Sequence, residues 1–215
     1  MKNKLPALLA CFLLLNAMLS AQIRFEQLTE VNPFWQGKES FFRHADKSAL
    51  LASTILTEQQ LVATHLRLVW QYLTGNVPEG LKTAQLKNRE NCLSILDGYI
   101  QTGIFPKNLY HAKRTPYFID DFGTACAVGY LIIQTGGKSI ADDINRHDNY
   151  AYLLDLARAY PQIGEWAAIN GFTPEELAWI QPTYGCDHGD CEPNTIRNVS
   201  CKGGFDGCVG LQTPT

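Results

Sequence analysis

The sequence predicts a mostly α-helical, compact multi-helix domain followed by a loop-rich tail. Apolar residues recur at helical spacing in two long segments, and caps and stop residues punctuate the chain at intervals typical of helices. From residue 185 this periodicity ends, and Gly, Asp, Asn and Cys dominate. We therefore expect a helical domain over 22–184, with about seven helices around a central apolar helix, and a tail over 185–215.

The first 21 residues have the pattern of a secretory signal peptide. Lys2 and Lys4 precede an apolar run over 5–15, and Ala21 is a small residue suited to cleavage. The sequence thus predicts an exported bacterial protein, periplasmic or extracellular, without stable membrane insertion after signal cleavage. The net charge is −3, and no basic cluster stands out. Nucleic acid is therefore not an expected partner.

The clearest predicted helix covers 58–74. Thr57 and Gln60 have the spacing of a capping box, and Gly75 is a stop signal. His65 lies beside the apolar face, so we interpret it as a half-buried packing residue. That face is formed by Val62, Leu66, Val69 and Leu73.

A second long helix is predicted over 84–102, capped by Thr83 and ended by Gly103. Arg89 falls on its apolar stripe. A buried guanidinium needs a carboxylate partner, which we expect from another part of the chain. The stripe itself is predicted to comprise Leu86, Leu93, Leu96 and Ile100.

A short strand or hairpin near 115–123 is predicted to precede the central helix, 124–135. This helix is apolar nearly all round, which is typical of a helix at the centre of a domain. Its small residues favour close approach by neighbouring elements. They are Ala125, Cys126, Ala127 and Gly129.

Shorter helices are predicted over 47–55, about 139–147, 150–159 and 162–169. A last helix is expected to run to about 181. Its start is well marked, because Thr173 is a favourable N-cap and Pro174 suits the first helical position.

Several segments resemble a secreted bacterial protein family of unknown function. The shared pattern comprises Arg89, Asn91, Leu93 and Tyr99, then Gly-Ile-Phe-Pro-Lys-Asn at 103–108, and further stretches at 116–132 and 171–184. The resemblance covers about 57–184. It implies a domain boundary before the tail and implies no activity.

Cys126 is the candidate nucleophile. A thiol in the first turn of a helix experiences the positive end of the helix dipole, which favours the thiolate. A thiol hydrolase acting on a peptide or amide bond would use His111 or His147 as base, oriented by Asp120 or Asp121. The alternatives are a buried thiol in an apolar helix, or a disulfide between Cys126 and Cys92.

Two groups of residues are candidates for binding calcium or another cation. Asp120 and Asp121 are adjacent at a turn, although aspartate is also common in turns for structural reasons. In the tail, the candidate ligands lie close to cysteines and comprise Asp187, His188 and Asp190. No other cofactor is expected.

The tail carries four cysteines, and an even number in an exported chain favours disulfides. We expect two bridges, with the pairing left open among Cys186, Cys191, Cys201 and Cys208. No catalytic motif accompanies them. The leading hypothesis is therefore a non-catalytic exported interaction or structural module with an extracytoplasmic protein or peptide as partner. The alternatives are the thiol hydrolase and the cation-binding module.

Overall fold

The computed structural model describes residues 25–46 and 57–187. Within these ranges the chain is mostly helical and forms a compact multi-helix domain, as predicted. Residues 25–31 are helical (α1), and a 3₁₀ turn covers Pro33–Trp35. The other helices are α2 (Glu39–His44), α3 (Glu58–Gly75), α4 (Thr83–Thr102), α5 (Ala127–Gln134), α6 (Lys138–His147), α7 (Leu153–Ala159), α8 (Pro161–Ile169) and α9 (Pro174–Ile180).

Some predictions concern parts of the chain outside these ranges. They are the signal peptide, the helix over 47–55, and the tail ligands and cysteines beyond Asp187, namely His188, Asp190, Cys191, Cys201 and Cys208. The boundary between domain and tail therefore stays a prediction. Among the helices described, none is long and apolar enough to cross a membrane.

Helix α3 confirms the capping box and the apolar face that its sequence predicted. The Thr57 hydroxyl accepts a hydrogen bond from the Gln60 amide, and the Gln60 side chain accepts one from the Thr57 amide. The predicted apolar face is fully buried against the rest of the domain. His65 differs from the prediction, because it is completely buried rather than half-buried.

Helix α4 starts one residue earlier than predicted, with Lys82 as N-cap, and ends at Gly103 in the left-handed conformation. Arg89 is buried, and its carboxylate partner is Glu176 at the start of α9, at 2.8 Å. The expectation of a distant partner is thus confirmed. Leu86 is 37 % exposed, so its place in the buried stripe was wrong.

Helix α5 lies at the centre of the domain and packs against α4, α6 and α9. It is shorter than the predicted 124–135, because Ala125 pairs with Ile119 in an isolated bridge and Cys126, in an extended conformation, is the N-cap. Gly129 shows the expected close approach. A Cβ atom at this position would lie 3.1 Å from the Phe118 ring and 3.2 Å from the Phe118 carbonyl oxygen.

The N-terminal segment is fastened to α9 by a buried side chain. Asn32 Nδ2 donates to the carbonyl oxygens of Ala178 and Gln181 at 2.8 and 2.7 Å. The Trp35 and Trp179 rings meet edge to face with centroids 5.2 Å apart. These contacts hold the N-terminal segment of the domain against its last helix.

No regular strand occurs in residues 25–46 and 57–187. The predicted strand near 115–123 is reduced to single bridges from Thr115 to Tyr184 and from Ile119 to Ala125. The Thr115 bridge is a reciprocal pair of backbone hydrogen bonds of 3.1 and 2.9 Å. It holds the loop before α5 against the end of the helical domain.

Candidate functional site

Cys126 lies inside the core. Its side chain is completely buried, and it is the N-cap of α5 rather than a residue of the first turn. The sulfur accepts a hydrogen bond from the Gly129 amide at 3.3 Å. Burial raises the pKa of Cys126 to about 11, more than the helix-start amides lower it. At neutral pH the thiol is therefore protonated and out of reach of a substrate.

Neither candidate base is hydrogen-bonded to this thiol. His111 Nδ1 lies 2.9 Å from the Tyr117 hydroxyl oxygen in the loop before α5. His147 is in the last turn of α6, where Nδ1 lies 3.0 Å from the Asp143 carbonyl oxygen. A cysteine hydrolase requires an imidazole within hydrogen-bond reach of its nucleophile. The geometry therefore counts against the thiol-hydrolase hypothesis.

The suggested bridge between Cys92 and Cys126 does not form, since both thiols are free and buried. Cys92 Sγ instead donates to Asn170 Oδ1 at 3.6 Å. Burial raises the pKa of Cys92 to about 11. Both sulfurs behave as small core groups with a local polar contact.

Asp120 organises the turn before α5. Its Oδ1 accepts hydrogen bonds from the Phe122 and Thr124 amides at 3.0 and 2.8 Å. Its Oδ2 accepts from the Lys107 amide at 3.0 Å. The carboxylate is buried, and three backbone donors satisfy it. Its role is to shape the loop and to join it to residue 107.

Asp121 faces the other way and is exposed. The Tyr110 hydroxyl donates a hydrogen bond to Asp121 Oδ2. The two adjacent carboxylates therefore have different partners and do not form a joint ligand pair. Asp187, the remaining described cation candidate, pairs with Lys107 at 3.1 Å. The part of the chain that is described holds no group of three His, Cys, Asp or Glu side chains suited to a metal ion.

Asn108 lies in the loop between α4 and α5, ahead of Asp120 and Asp121, and it is fully buried. Its Nδ2 donates to the carbonyl oxygens of His111 and Tyr184 at 2.7 and 3.0 Å. Its Oδ1 accepts from the His111 amide at 2.8 Å and from the Tyr117 hydroxyl at 3.1 Å. One side chain thus fixes the backbone of a loop without regular structure.

The hydrogen bonds of Tyr117 assign the tautomer of His111. Asn108 Oδ1 only accepts, so the Tyr117 hydroxyl hydrogen points to it, and His111 Nδ1 must donate to the Tyr117 oxygen. In neutral His111 the lone pair is therefore on Nε2. Burial lowers the pKa of His111. This imidazole can accept a hydrogen bond from a bound molecule at Nε2.

An aromatic patch surrounds His111. The Tyr150 ring lies 4.6 Å from the His111 ring and 4.8 Å from the Tyr117 ring, measured between centroids. Phe122, at the tip of the turn held by Asp120, is 68 % exposed. The hydrogen bond from Tyr110 to Asp121 joins this turn to the segment that carries His111. We call these residues together the aromatic surface: Tyr110, His111, Asp121, Phe122 and Tyr150.

The last described residues leave the domain beside this loop. Arg114 forms two hydrogen bonds of 2.9 and 2.7 Å to the Glu58 carboxylate, and Glu58 also accepts from the Gly185 amide at 3.0 Å. Asn108 and Cys186 form a further isolated bridge. The start of the tail is thus attached next to the aromatic surface.

Sequence reasoning placed His111 and Asp121 in the candidate site but missed Asn108, Phe122 and Tyr150. Asn108 could have been noticed, because it is the polar residue that ends the segment 103–108 of the family-like pattern. Tyr150 could not be found in this way, because it comes from the loop after α6 and meets His111 only in the folded chain.

Comparison with known proteins adds no relative. No family model matches the chain, and no curated protein or solved structure matches it significantly. The resemblance to a secreted bacterial family therefore stays an expectation.

Proposed function

We propose that this protein is a non-catalytic, exported interaction module that binds an extracytoplasmic protein or peptide through the aromatic surface. The observation that carries the proposal is the exposure of Phe122 on a turn held by three backbone hydrogen bonds to Asp120. Because the backbone of this turn is already held in one conformation, little further ordering of the loop is needed when the ring binds a partner. Aromatic side chains are also enriched at the centres of protein interfaces.

The surroundings of Phe122 favour a basic partner segment. Asp121, the residue before Phe122, supplies an exposed carboxylate, and the partly exposed Tyr150 ring can attract a cation. His111 Nε2 can accept a hydrogen bond from the partner. A partner segment with a lysine or arginine beside an apolar residue fits these groups.

The proposal is tested by selecting peptides from a displayed library on the purified protein. Selected peptides should contain a basic residue next to an apolar one and should lose at least tenfold in affinity for Phe122→Ser, because an anchoring ring contributes about 2 kcal/mol or more. The matched control is Ile169→Ser, since Ile169 is 62 % exposed at the end of α8. Equal binding to wild type and Phe122→Ser would refute the proposed surface.

Thiol labelling distinguishes this function from the hydrolase. With iodoacetamide at pH 6 to 8, Cys126 and Cys92 of the folded protein should stay unmodified, because both are buried and protonated. Peptide mass spectrometry after denaturation in the presence of reagent should then show both modified. Rapid modification of Cys126 in the folded protein would contradict this proposal and favour the hydrolase alternative.

A further inference from the structure

A cavity of about 250 Å³ opens between the N-terminal segment, the start of α7 and the end of α9. It is separate from the aromatic surface, and the proposed function does not use it. Its walls combine elements far apart in the sequence, since Phe34, Leu154 and Ala178 all line it. The volume is below the roughly 300–1,000 Å³ typical of pockets for drug-sized ligands. It therefore suits a compound of about ten non-hydrogen atoms.

The lining is mainly apolar and includes two aromatic rings. Leu153 and Ala178 are buried, whereas the Tyr152 ring at the edge is 49 % exposed. Phe34 on the N-terminal segment supplies the second ring. A planar aromatic ligand gains edge or stacking contacts with such rings beyond the burial of its area.

The polar groups of the cavity favour an uncharged ligand. The charges of Asp155 and Arg158 offset one another, because their side chains pair at 2.7 Å. Gln181 Oε1 accepts from the Leu153 amide at 2.7 Å, and Nε2 donates one hydrogen to the Ala151 carbonyl at 3.2 Å. The second hydrogen of this buried amide has no partner in the described part of the chain. A ligand carbonyl or hydroxyl oxygen would satisfy it.

We propose that this cavity is a binding site for a small, neutral, single-ring aromatic compound that carries a carbonyl or hydroxyl oxygen. The ring lies against Phe34 and Tyr152, and the oxygen accepts the second amide hydrogen of Gln181. Charged compounds of the same size should bind more weakly, because the carboxylate and guanidinium at the rim pair with each other and leave no net opposite charge for them.

Binding of the probe 4-fluoroacetanilide to the purified protein is measured by fluorine NMR. We expect saturable binding with a dissociation constant on the order of 1 mM, as suits a ligand of this size. N-cyclohexylacetamide and 4-fluorobenzoate should bind at least about tenfold more weakly, because one lacks the aromatic ring and the other is charged. The first is measured by its displacement of the fluorinated probe, and the second by its own fluorine signal. Absence of saturable binding, or equal binding of either comparison compound, overturns the proposal.

Two variants locate the site. Leu154→Trp fills the cavity and should abolish binding, and Tyr152→Ala should weaken it about tenfold by removing one ring. Tyr150→Ala is the matched control, because Tyr150 is 41 % exposed and belongs to the aromatic surface. It should bind the probe like wild type. If Leu154→Trp does not fold, Tyr152→Ala decides, and unchanged binding by that variant refutes the assignment.

Discussion

Buried polar groups act differently in the helical core and in the loop over 105–124. In the core, Arg89 joins elements distant in sequence, because its guanidinium bonds the Glu176 carboxylate and the carbonyl oxygens of Gly171 and Leu73. In the loop, apart from one bond from Asn108 to the Tyr184 carbonyl, Asn108 and Asp120 bond backbone groups within thirteen residues of themselves.

The difference follows from backbone hydrogen bonding. Inside helices the amides and carbonyls bond one another, so a buried side chain finds partners at helix ends and on other elements. In a loop the backbone groups lack such partners, and side chains must supply them. The core therefore uses polar groups to fix the packing of helices, whereas the loop uses them to fix its own shape.

Replacing Arg89 should have the largest effect on stability. Arg89→Leu leaves the Glu176 carboxylate without its cation in a buried setting, which should cost about 4 kcal/mol in the free energy of unfolding. Chemical denaturation measures this loss. The control is Arg67→Leu, whose pair with Asp97 is about one-third exposed, and whose loss should be about 1 kcal/mol or less. Similar losses for the two variants would contradict the role given to burial.

Asn108→Asp tests the loop. The substitution keeps an acceptor but removes both amide hydrogens, so that carboxylate oxygen faces the carbonyls of His111 and Tyr184. We expect a loss of about 3 kcal/mol in the same assay. Asn88→Asp removes the single bond to the Ile169 carbonyl at 3.0 Å and should cost about 1 kcal/mol. The prediction fails if the two variants are equally stable.

Protonation of His65 has the smallest expected effect on the free energy of unfolding. The pH dependence of stability distinguishes this core histidine from His111 in the loop. Burial lowers the pKa of His65 from 6.5 to about 3, and its Nδ1 accepts from Trp35 Nε1 at 2.9 Å. As pH falls below about 6.5, the unfolded state takes up a proton that the folded state refuses. Stability contributed by the neutral form is therefore present above that pH and lost as pH falls toward 3.

Denaturation at pH 7.5 and 5.5 measures this dependence. The contribution of His65 to the loss should be about 1.4 kcal/mol, and His65→Gln should remove that part. A residual dependence of the same sign should remain, because burial also lowers the pKa of His111 in the loop. An unchanged pH dependence in His65→Gln would show that the core histidine is not its source.

The parts of the fold that sequence predicted are those specified within a few residues. Thr57 with Gln60 and Thr173 with Glu176 form capping boxes whose members are three positions apart. The start of α5 was misplaced, because no such signal marks it. The bridge between Ile119 and Ala125 closes a turn that keeps these residues out of the helix, and Cys126 becomes the cap.

Burial was predicted less well than helix position. Periodicity placed Leu86 on the same face as Leu93, but a repeating pattern does not say where the neighbouring helix ends. Leu86 lies in the first turns of α4 and stays exposed, whereas Leu96 is fully buried. The candidate site was affected in the same way, because proximity in sequence placed Asp120 beside Asp121 while their carboxylates have separate partners.

The sequence by itself determined that the chain is helical, where its long helices lie, and that Arg89 needs a partner from elsewhere. Each follows from local spacing or from the cost of burying a charge. Only the tertiary structure decided that Cys126 is completely buried, that Glu176 is the partner of Arg89, and that Tyr150 packs against His111. These depend on contacts between distant segments, which local spacing does not encode.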